Sequence, residues 1–347
     1  MLEVIPLITR RLDPAGNPGD TFICLGLQWL LSQVVERPSF LLIDKFVPDD
    51  FKKYADLIRK AGFLIYAGTP QYNNLDDWCL FYDWAMFKTF IQPMKVKFHT
   101  VAGGSGYPGT SMTPQEFSKH CLTNRRTRES LQFKKQLTSL ATVRDLHAYR
   151  LLTDLGQKVE LLPCTALWSP RWLGIEPTQT KVVGLVPPSP RHIVPKLVGC
   201  ETHEAAVEWF KQYFTKLTKD LKQLGYDTVI ICHGVNDYLA YRDMPNVLYS
   251  NDCVSLMHMY APLHGVISTR LHGAIPVAGM NKKALLLGID TRHSAADVIG
   301  IPKLLLGVDN PDQALSRYFN GPDDYNSVMT AAQDTYTKLF KEIGLCG

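Results

Sequence analysis

Residues 265–280 read GVISTRLHGAIPVAGM, a short apolar run followed almost without a loop by an apolar helical pattern. Residues 265–268 predict a buried parallel strand, and residues 271–280 predict the helix that follows it. The polar tripeptide between them therefore stands where a strand ends and a helix begins. In doubly wound sheets, ligands bind in the crevice outside the carboxyl ends of the strands. This stretch predicts an α/β fold with a binding site at that point.

The same alternation of apolar runs and amphipathic stretches extends through both halves of the 347-residue chain. In the second half it predicts further strands at 181–187, 227–232 and 284–289, and helices at 202–224, 255–260 and 323–345. In the first half it predicts strands at 3–8, 40–43, 62–67 and 95–101, and helices at 22–34, 49–61 and 78–91. Capping residues mark two more helix starts, at Thr113 and at Asp145.

Residues 168–180 are rich in turn formers and have no hydrophobic period, which predicts a linker between two domains. We therefore expect a Rossmann-like domain over residues 1–170 and a second one over residues 181–347. A long helix closes the second domain. In such an arrangement the strand ends of both domains face each other across a cleft.

Composition excludes several classes of protein. Apolar residues make up 46% of the chain and charged residues 20%, so it is neither disordered nor fibrous. The net charge of +4 is too small for a nucleic-acid footprint, and the basic tract at 125–135 lacks the interleaved aromatic residues of single-strand binders. We therefore expect no nucleic-acid partner.

The cysteines and the apolar runs indicate where the protein resides. None of the eight cysteines forms a C-x-x-C pair, which argues against zinc ribbons and redox motifs and predicts free thiols in a reducing cytoplasm. No apolar run reaches membrane-spanning length. The expectation is a protein of the cytoplasm or of the inner face of the membrane, with no metal ion and no cofactor.

Polar residues and glycines follow the predicted strands in both halves. The set comprises Asn17, Gly19, Asp20, Gly103, Gly104, Arg144, His233, Asp237, Arg270 and His272. Each has a simpler explanation, because Asp20 can cap a helix, Arg270 can pair with an acidic neighbour and His272 can belong to the core. Their common position at strand ends is what predicts a single cleft. Arg270 and the helix start beside it are suited to an anion, because a guanidinium binds oxyanions in a bidentate manner.

Residues 104–109, GSGYPG, match the G-x-G-x-x-G pattern of dinucleotide sites. The context argues against such a site, since the predicted helix begins only at Pro114 and Pro108 interrupts the chain before it. No acidic residue ends a strand about 20 residues later, where a ribose would need one. We expect a loop that lines the cleft.

The ordered set of motifs resembles the polysaccharide pyruvyl transferases. The residues that carry the resemblance are N-x-G-D at 17–20, the R-D segment at 144–145 with its helix ending at Gly156, the histidine and acidic pair of His233 and Asp237, and R-L-H-G at 270–273. The resemblance implies a GT-B-like fold of two facing Rossmann-like domains. It also implies transfer of a pyruvyl group from phosphoenolpyruvate to two hydroxyls of a sugar, with formation of a cyclic ketal and release of phosphate.

The resemblance also implies roles for individual residues. Phosphoenolpyruvate, the co-substrate, would lie on the side of the C-terminal domain, bound by Arg270, Arg292, Leu271 and His272 and by Arg144 from the N-terminal domain. His272 would donate a proton, and Asp20, in the acceptor-side N-terminal domain, would accept one. The acceptor would be a glycan or a lipid-linked sugar. The part of the cleft that binds it would be lined by Asn17, Gly19, Asp20, Gly103, Gly104, His233 and Asp237.

Three positions depart from the family pattern. Arg292 stands where many members have lysine, Cys164 where many have aspartate, and Ala148 where many have serine. These departures keep a second hypothesis open, a non-catalytic family member that binds carbohydrate or has a structural role. A third hypothesis is a glycosyltransferase of the same architecture that uses a nucleotide-sugar, although residues 184–190 offer no clear acidic contact for a ribose.

Overall fold

The computed structural model describes residues 3–9, 17–73, 84–110 and 112–345. The first sheet has seven strands: β1 (Glu3–Thr9), β2 (Pro38–Asp44), β3 (Phe63–Ala67), β4 (Pro70–Tyr72), β5 (Lys97–Ser105), β6 (Thr138–Val143) and β7 (Glu160–Leu161). They lie in the order β2-β1-β3-β5-β6-β7, with β4 beside β5, and every described pair is parallel. Chain order reverses between β1 and β3, which is the switch point of this sheet.

The second sheet has six strands: β8 (Val182–Val186), β9 (Asp227–Cys232), β10 (Val247–Tyr249), β11 (Gly265–Ser268), β12 (Lys283–Gly288) and β13 (Lys303–Leu305). Their order is β10-β9-β8-β11-β12-β13, again with parallel pairs. This is the strand order of a Rossmann sheet, and its switch point lies between β8 and β11. Residues 269–272 follow β11 directly, so the structure places them at the crevice of the sheet.

Helices connect the parallel strands. In the first half they are α1 (Pro18–Ser32), α2 (Pro48–Lys53), α3 (Ala55–Ala61), α4 (Gln92–Met94), α5 (Pro114–Thr123), α6 (Arg125–Leu137), α7 (Leu146–Asp154) and α8 (Ser169–Trp172). In the second half they are α9 (His203–Gln223), α10 (Val235–Tyr241), α11 (Cys253–Tyr260), α12 (Leu271–Gly279), α13 (Ser294–Ile299), α14 (Ala314–Asn320) and α15 (Asn326–Glu342). The capping box at Thr113 and the aspartate cap at Asp145 are both present, as predicted.

Two predicted helices differ from the structure. The pattern at 49–61 forms two helices that meet at Tyr54. Of the helix expected at 78–91, residues 78–83 lie outside the described residues, and Phe87–Ile91 forms a π-helical turn that runs into α4. Pro93 lies in that short helix and has no N–H to donate, so a regular α-helical ladder cannot run through it.

The segment expected to be a linker begins with packed helix. Trp168 ends a 3-10 turn, Thr165–Trp168, and is completely buried, with its ring edge-on to Tyr336 at a centroid distance of 5.9 Å. Helix α8 follows directly, and strand structure resumes only at Val182. Burial of the indole holds the start of the segment, and residues 175–180 have no regular secondary structure.

Helices α1 and α12 both pack closely against the backbone of the turn Thr165–Trp168. A Cβ added to Gly26 of α1 would lie 1.7 Å from the carbonyl oxygen of Thr165, and one added to Gly279 of α12 would lie 2.0 Å from that of Leu167. Only glycine permits both approaches, because any side chain would overlap these carbonyl groups. The turn Thr165–Trp168 therefore contacts one helix from each half of the chain.

The C-terminal helix α15 also contacts the first half of the chain. The hydroxyl of Tyr336 donates to the carbonyl of Pro163 at 2.9 Å, so α15 reaches back to the first half. One apolar cluster includes Phe22 of α1, Ile275 of α12 and Phe340 of α15. The two halves thus share buried apolar surface next to the ends of their strands.

Candidate functional site

His272 lies in the first turn of α12, against the first turn of α1. A Cβ on Gly19 would be 2.3 Å from His272 Nδ1, so the absence of a side chain at position 19 makes room for the imidazole. On the other side of the ring, Arg144 Nη1 lies 3.3 Å from Nε2 and Cys164 Sγ lies 3.8 Å from it. Helix starts and strand ends of both halves therefore meet at this histidine.

His272 is neutral at pH 7 in this arrangement. Burial lowers the pKa of its imidazole well below 6.5, and the charge of Arg144 lowers it further, with smaller effects from Arg292 and Arg270. A guanidinium can only donate, so the contact with Arg144 assigns the unprotonated nitrogen to Nε2. His272 therefore presents a proton acceptor, not a donor, toward Arg144.

Arg144 is a buried cation without an acidic partner among the residues that the structure describes. Its side chain is fully buried, and Nη1 contacts Cys164 Sγ at 3.6 Å as well as His272. Within the described part of the chain, its Nε and Nη2 have no hydrogen-bond partner. The adjacent carboxylate of Asp145 accepts from the backbone N–H groups of Ser105 at 2.7 Å and Ala148 at 2.8 Å.

Arg270 is tied to an acidic neighbour. Its Nη2 donates to Asp237 Oδ2, which also accepts from the backbone N–H of His233 at 3.2 Å. The ring of His233 contacts the hydroxyl of Tyr260, and burial, followed by the charge of Arg270, lowers its pKa well below 6.5. The Arg270 side chain remains 20% exposed, so one edge of this pair still faces outward.

Arg292 is also paired, with the carboxylate of Asp290. Asp290 is the largest cause of the raised pKa of Arg292. Burial opposes the increase, while the carboxylates of Asp20 and Asp145 in the first half add to it. Arg292 therefore lies within electrostatic reach of both halves of the chain.

The loop with the G-x-G-x-x-G pattern holds this part of the second half in place. The backbone N–H of Thr291 donates to the carbonyl of Tyr107 at 3.0 Å, and its hydroxyl accepts from the Tyr107 N–H at 2.9 Å. Pro108 and Asp290 form an antiparallel bridge, and Gly109 N–H donates to the carbonyl of Ile289 at 3.2 Å. No helix starts within this loop, so the dinucleotide interpretation is excluded by the structure as well.

The structure brings most of the predicted site residues to one region, in different ways. Gly19, Gly104, Arg144 and His272 pack directly together, since a Cβ on Gly104 would lie 2.6 Å from Arg144 Nε. Leu271 and Asp20 are buried in the first turns of α12 and α1. Three other residues make different contacts. Asn17 caps α1, Gly103 packs against the ring of Tyr72, and Asp237 pairs with Arg270.

Sequence reasoning missed Asp290 and Thr291, and it noted Cys164 only as a departure. Asp290 follows strand β12 closely, in the way that His233 follows β9, and Cys164 follows β7. The same strand-end rule would therefore have found them. The partners of Thr291 and Cys164 could not be found that way, because they lie in distant segments, whereas Asp290 pairs with Arg292 only two residues away.

Gly19→Ala tests the packing of α1 against α12. The new methyl group would overlap His272 Nδ1, so we expect the imidazole to be displaced from its present position beside Arg144 and the anion affinity of the site to fall about tenfold. Isothermal titration with inorganic phosphate measures this change. Gly62→Ala is the control for affinity only, because Gly62 is remote and a Cβ there meets no neighbour, while its φ of +76° strains an alanine and lowers stability. An unchanged affinity in Gly19→Ala would show that the histidine tolerates displacement.

Among the described residues, no group of three His, Cys, Asp or Glu side chains is placed to hold a metal ion. In the same part of the chain, no helix combines the length and the apolar character that a membrane crossing requires.

Comparison with known proteins identifies a family. A family model described as polysaccharide pyruvyl transferase matches residues 17–291, most of the chain. No curated protein matches the chain.

The solved structures that resemble this chain include one complex with UDP and two UDP-GlcNAc 2-epimerases. MnaA of S. aureus with UDP has a TM-score of 0.53 and 11% identity, with 99% of this chain and 98% of that chain covered. The UDP-GlcNAc 2-epimerase of Neisseria meningitidis bound to UDP-GlcNAc has a TM-score of 0.55 and 10% identity, with 98% of both chains covered. The UDP-GlcNAc 2-epimerase of Methanocaldococcus jannaschii has a TM-score of 0.55 and 8% identity, with 99% of this chain and 100% of that chain covered. At these identities the likeness establishes the fold, which is GT-B-like as expected.

Proposed function

The chain belongs to the polysaccharide pyruvyl transferase family, and from this premise we propose that it transfers the pyruvyl group of phosphoenolpyruvate to two hydroxyls of a sugar. The product is a cyclic ketal, and phosphate is released. The acceptor is a glycan or a lipid-linked sugar, met in the cytoplasm or at the inner face of the membrane. Phosphoenolpyruvate is a co-substrate, and the proposal includes no further cofactor.

The single observation that carries this proposal is the unpaired guanidinium of Arg144. A fully buried charge without a counter-ion is costly, and two of its nitrogen atoms have no partner among the described residues. A bound anion would supply both the missing charge and the missing acceptors. Phosphoenolpyruvate fits this requirement, since its phosphate alone carries about −1.5 to −2 charges at pH 7 and its carboxylate adds another.

Further positive charge surrounds the same place. Arg270 and Arg292 are each held by one carboxylate, which fixes their position and leaves their other N–H groups for a ligand. Helix α12 begins at Leu271, so the positive end of its dipole is directed at the same region. These features suit a ligand of high negative charge, in line with an enol phosphate.

His272 would act as the proton donor after the donor anion binds. The anion would offset the field of Arg144 and its neighbours, which raises the pKa of the imidazole and lets it take up a proton. That proton would be given to the methylene carbon of phosphoenolpyruvate, and the adjacent carbon becomes electrophilic. A sugar hydroxyl adds there, phosphate leaves, and the second hydroxyl closes the ring.

The two hydroxyl protons also need acceptors. We assign one to Asp20, which is buried in the first turn of α1 and whose charge acts on Arg292. The other leaves with the phosphate. Of the two protons removed from the sugar, one thus leaves with phosphate, and the one on Asp20 returns through solvent to His272, where it replaces the proton delivered to carbon and balances the reaction.

Proton uptake on binding follows from the state of His272. Free His272 is neutral, and the bound anion would raise its pKa, so donor binding should take up as much as one proton near pH 7. Donor affinity should therefore increase as the pH is lowered through the raised pKa of the bound imidazole toward the lowered pKa of the free one. Calorimetric titration in buffers of different ionisation enthalpy measures the number of protons, with His272→Gln as the control that should show less uptake. Equal uptake in the variant would assign the proton to another group.

The decisive experiment is release of inorganic phosphate from phosphoenolpyruvate across a panel of galactose-, mannose- and N-acetylmannosamine-terminated acceptors. We expect release only with a suitable acceptor, together with formation of the ketal. A thermal-shift titration separates the alternatives, since phosphoenolpyruvate should stabilise the protein and UDP should not. Stabilisation by UDP alone would favour glycosyl transfer, and stabilisation by neither would favour a non-catalytic role.

A further inference from the structure

Cys164 lies beside Arg144, where an acidic side chain would provide the guanidinium with a counter-charge. Its sulfur is completely buried, 3.6 Å from Arg144 Nη1 and 3.8 Å from His272 Nε2. A thiol is a weak acceptor compared with a carboxylate. Both side chains that Arg144 contacts among the described residues are therefore poor substitutes for an acidic partner.

The neighbouring carboxylates are occupied by other groups. Asp145 accepts two backbone N–H groups, Asp237 is paired with Arg270, and Asp290 is paired with Arg292. Within the described residues Arg144 forms no ion pair, although the two other arginines of the site do. The carboxylate of Asp145 is near Arg144 but is bonded to backbone N–H groups, so the side chain at position 164 decides whether the guanidinium has a carboxylate in hydrogen-bond contact.

We propose that Cys164 is an affinity-determining residue of the anion site, because it leaves the buried guanidinium of Arg144 available to a bound phosphate or carboxylate. The inference rests on the proposed function only for the identity of the natural anion. It has two consequences of opposite sign. The anion-free protein retains an uncompensated buried charge, which lowers its stability, and the same charge increases the affinity for an anion.

The test compares Cys164→Asp with Cys164→Asn, which has the same shape without the charge. In buffer without multivalent anions, Cys164→Asp should melt at a higher temperature than Cys164→Asn. It should also bind inorganic phosphate and phosphoenolpyruvate about 10- to 100-fold more weakly, since a carboxylate would take the charge-assisted hydrogen bonds of Arg144. Calorimetry measures both quantities. Opposite changes in stability and affinity are the expected signature, which a purely structural role would not produce.

Cys164→Ala provides a second measurement that does not depend on burying an acid. It removes the sulfur without adding charge, so phosphate affinity should stay within about threefold of the wild type. Equal phosphate affinity in the Asp and Asn variants would overturn the proposal, as would a loss in Cys164→Ala as large as that in Cys164→Asp. If the Asp variant fails to fold, a large loss of phosphate affinity in Cys164→Ala would still overturn the proposal.

The proposed function can fail separately. Phosphate binding is measured without turnover, so the expected pattern would stand even if no acceptor supported pyruvyl transfer. Conversely, acceptor-dependent phosphate release with equal anion affinity in the Asp and Asn variants would reject only the role of Cys164.

Discussion

His272→Gln should lower the turnover of pyruvyl transfer by about 10²- to 10⁴-fold at saturating phosphoenolpyruvate. Glutamine can still accept a hydrogen bond from Arg144 through its amide oxygen, but it cannot take up and deliver a proton. Donor affinity should therefore change much less than turnover. Phosphate release at saturating donor and acceptor measures the first quantity, and calorimetric titration measures the second.

His264→Gln is a suitable control for this experiment. His264 is half-buried between Tyr226 and Tyr318, away from the site, so its replacement should leave turnover near that of the wild type. Wild-type turnover in His272→Gln would eliminate the imidazole as the acid. A loss confined to donor affinity would reduce His272 to a binding residue.

Arg144→Met should weaken the binding of phosphoenolpyruvate by about 30- to 1,000-fold, the range found when one partner of a buried charged contact is truncated. The free protein should nevertheless keep its melting temperature. Methionine has a similar reach and fills part of the same volume, while the variant removes a charge that is fully buried and has no ionic partner among the described residues. Calorimetric titration and thermal unfolding in phosphate-free buffer measure the two effects.

Arg150→Met is the matched control. Arg150 lies on the next helix, is 46% exposed and forms a surface ion pair with Asp154, so its loss should change stability by no more than about 1 kcal/mol and leave donor affinity unchanged. A large drop in melting temperature in Arg144→Met, with wild-type affinity, would mean that the guanidinium is structural.

Arg144→Met and Cys164→Asp address the same buried charge by different means. The first removes the charge together with its N–H groups, and the second supplies an internal counter-charge. Both should weaken anion binding, but only the first also removes the fork that orients a phosphate or carboxylate. The first should therefore cause the larger loss of affinity.

Much of the fold could be predicted from local pattern. Strand β11 and helix α12 occur almost where the apolar runs place them, and Thr113 and Asp145 cap their helices as expected. Position at a strand end also selected most residues of the site. These signals are local, since periodicity and capping depend on residues a few positions apart.

The ranking of the arginines could not be predicted. The sequence predicts Arg270 and Arg144 together as anion ligands and leaves open that Arg270 pairs with an acidic residue; the structure shows Arg270 paired with Asp237, whereas Arg144 has no acidic partner among the described residues. A cation's partner depends on contacts between distant segments. No spacing rule reports such contacts.

By itself, the sequence determined an α/β chain of two doubly wound halves whose polar residues gather at strand ends, because hydrophobic period and strand-to-helix order act along the chain. Only the tertiary structure decided which of those residues meet. Arg144 and His272 are 128 positions apart, and they come within 3.3 Å because glycines 26 and 279 let α1 and α12 rest on the same turn. Burial at that junction then makes the imidazole neutral and the guanidinium a charge in need of an anion.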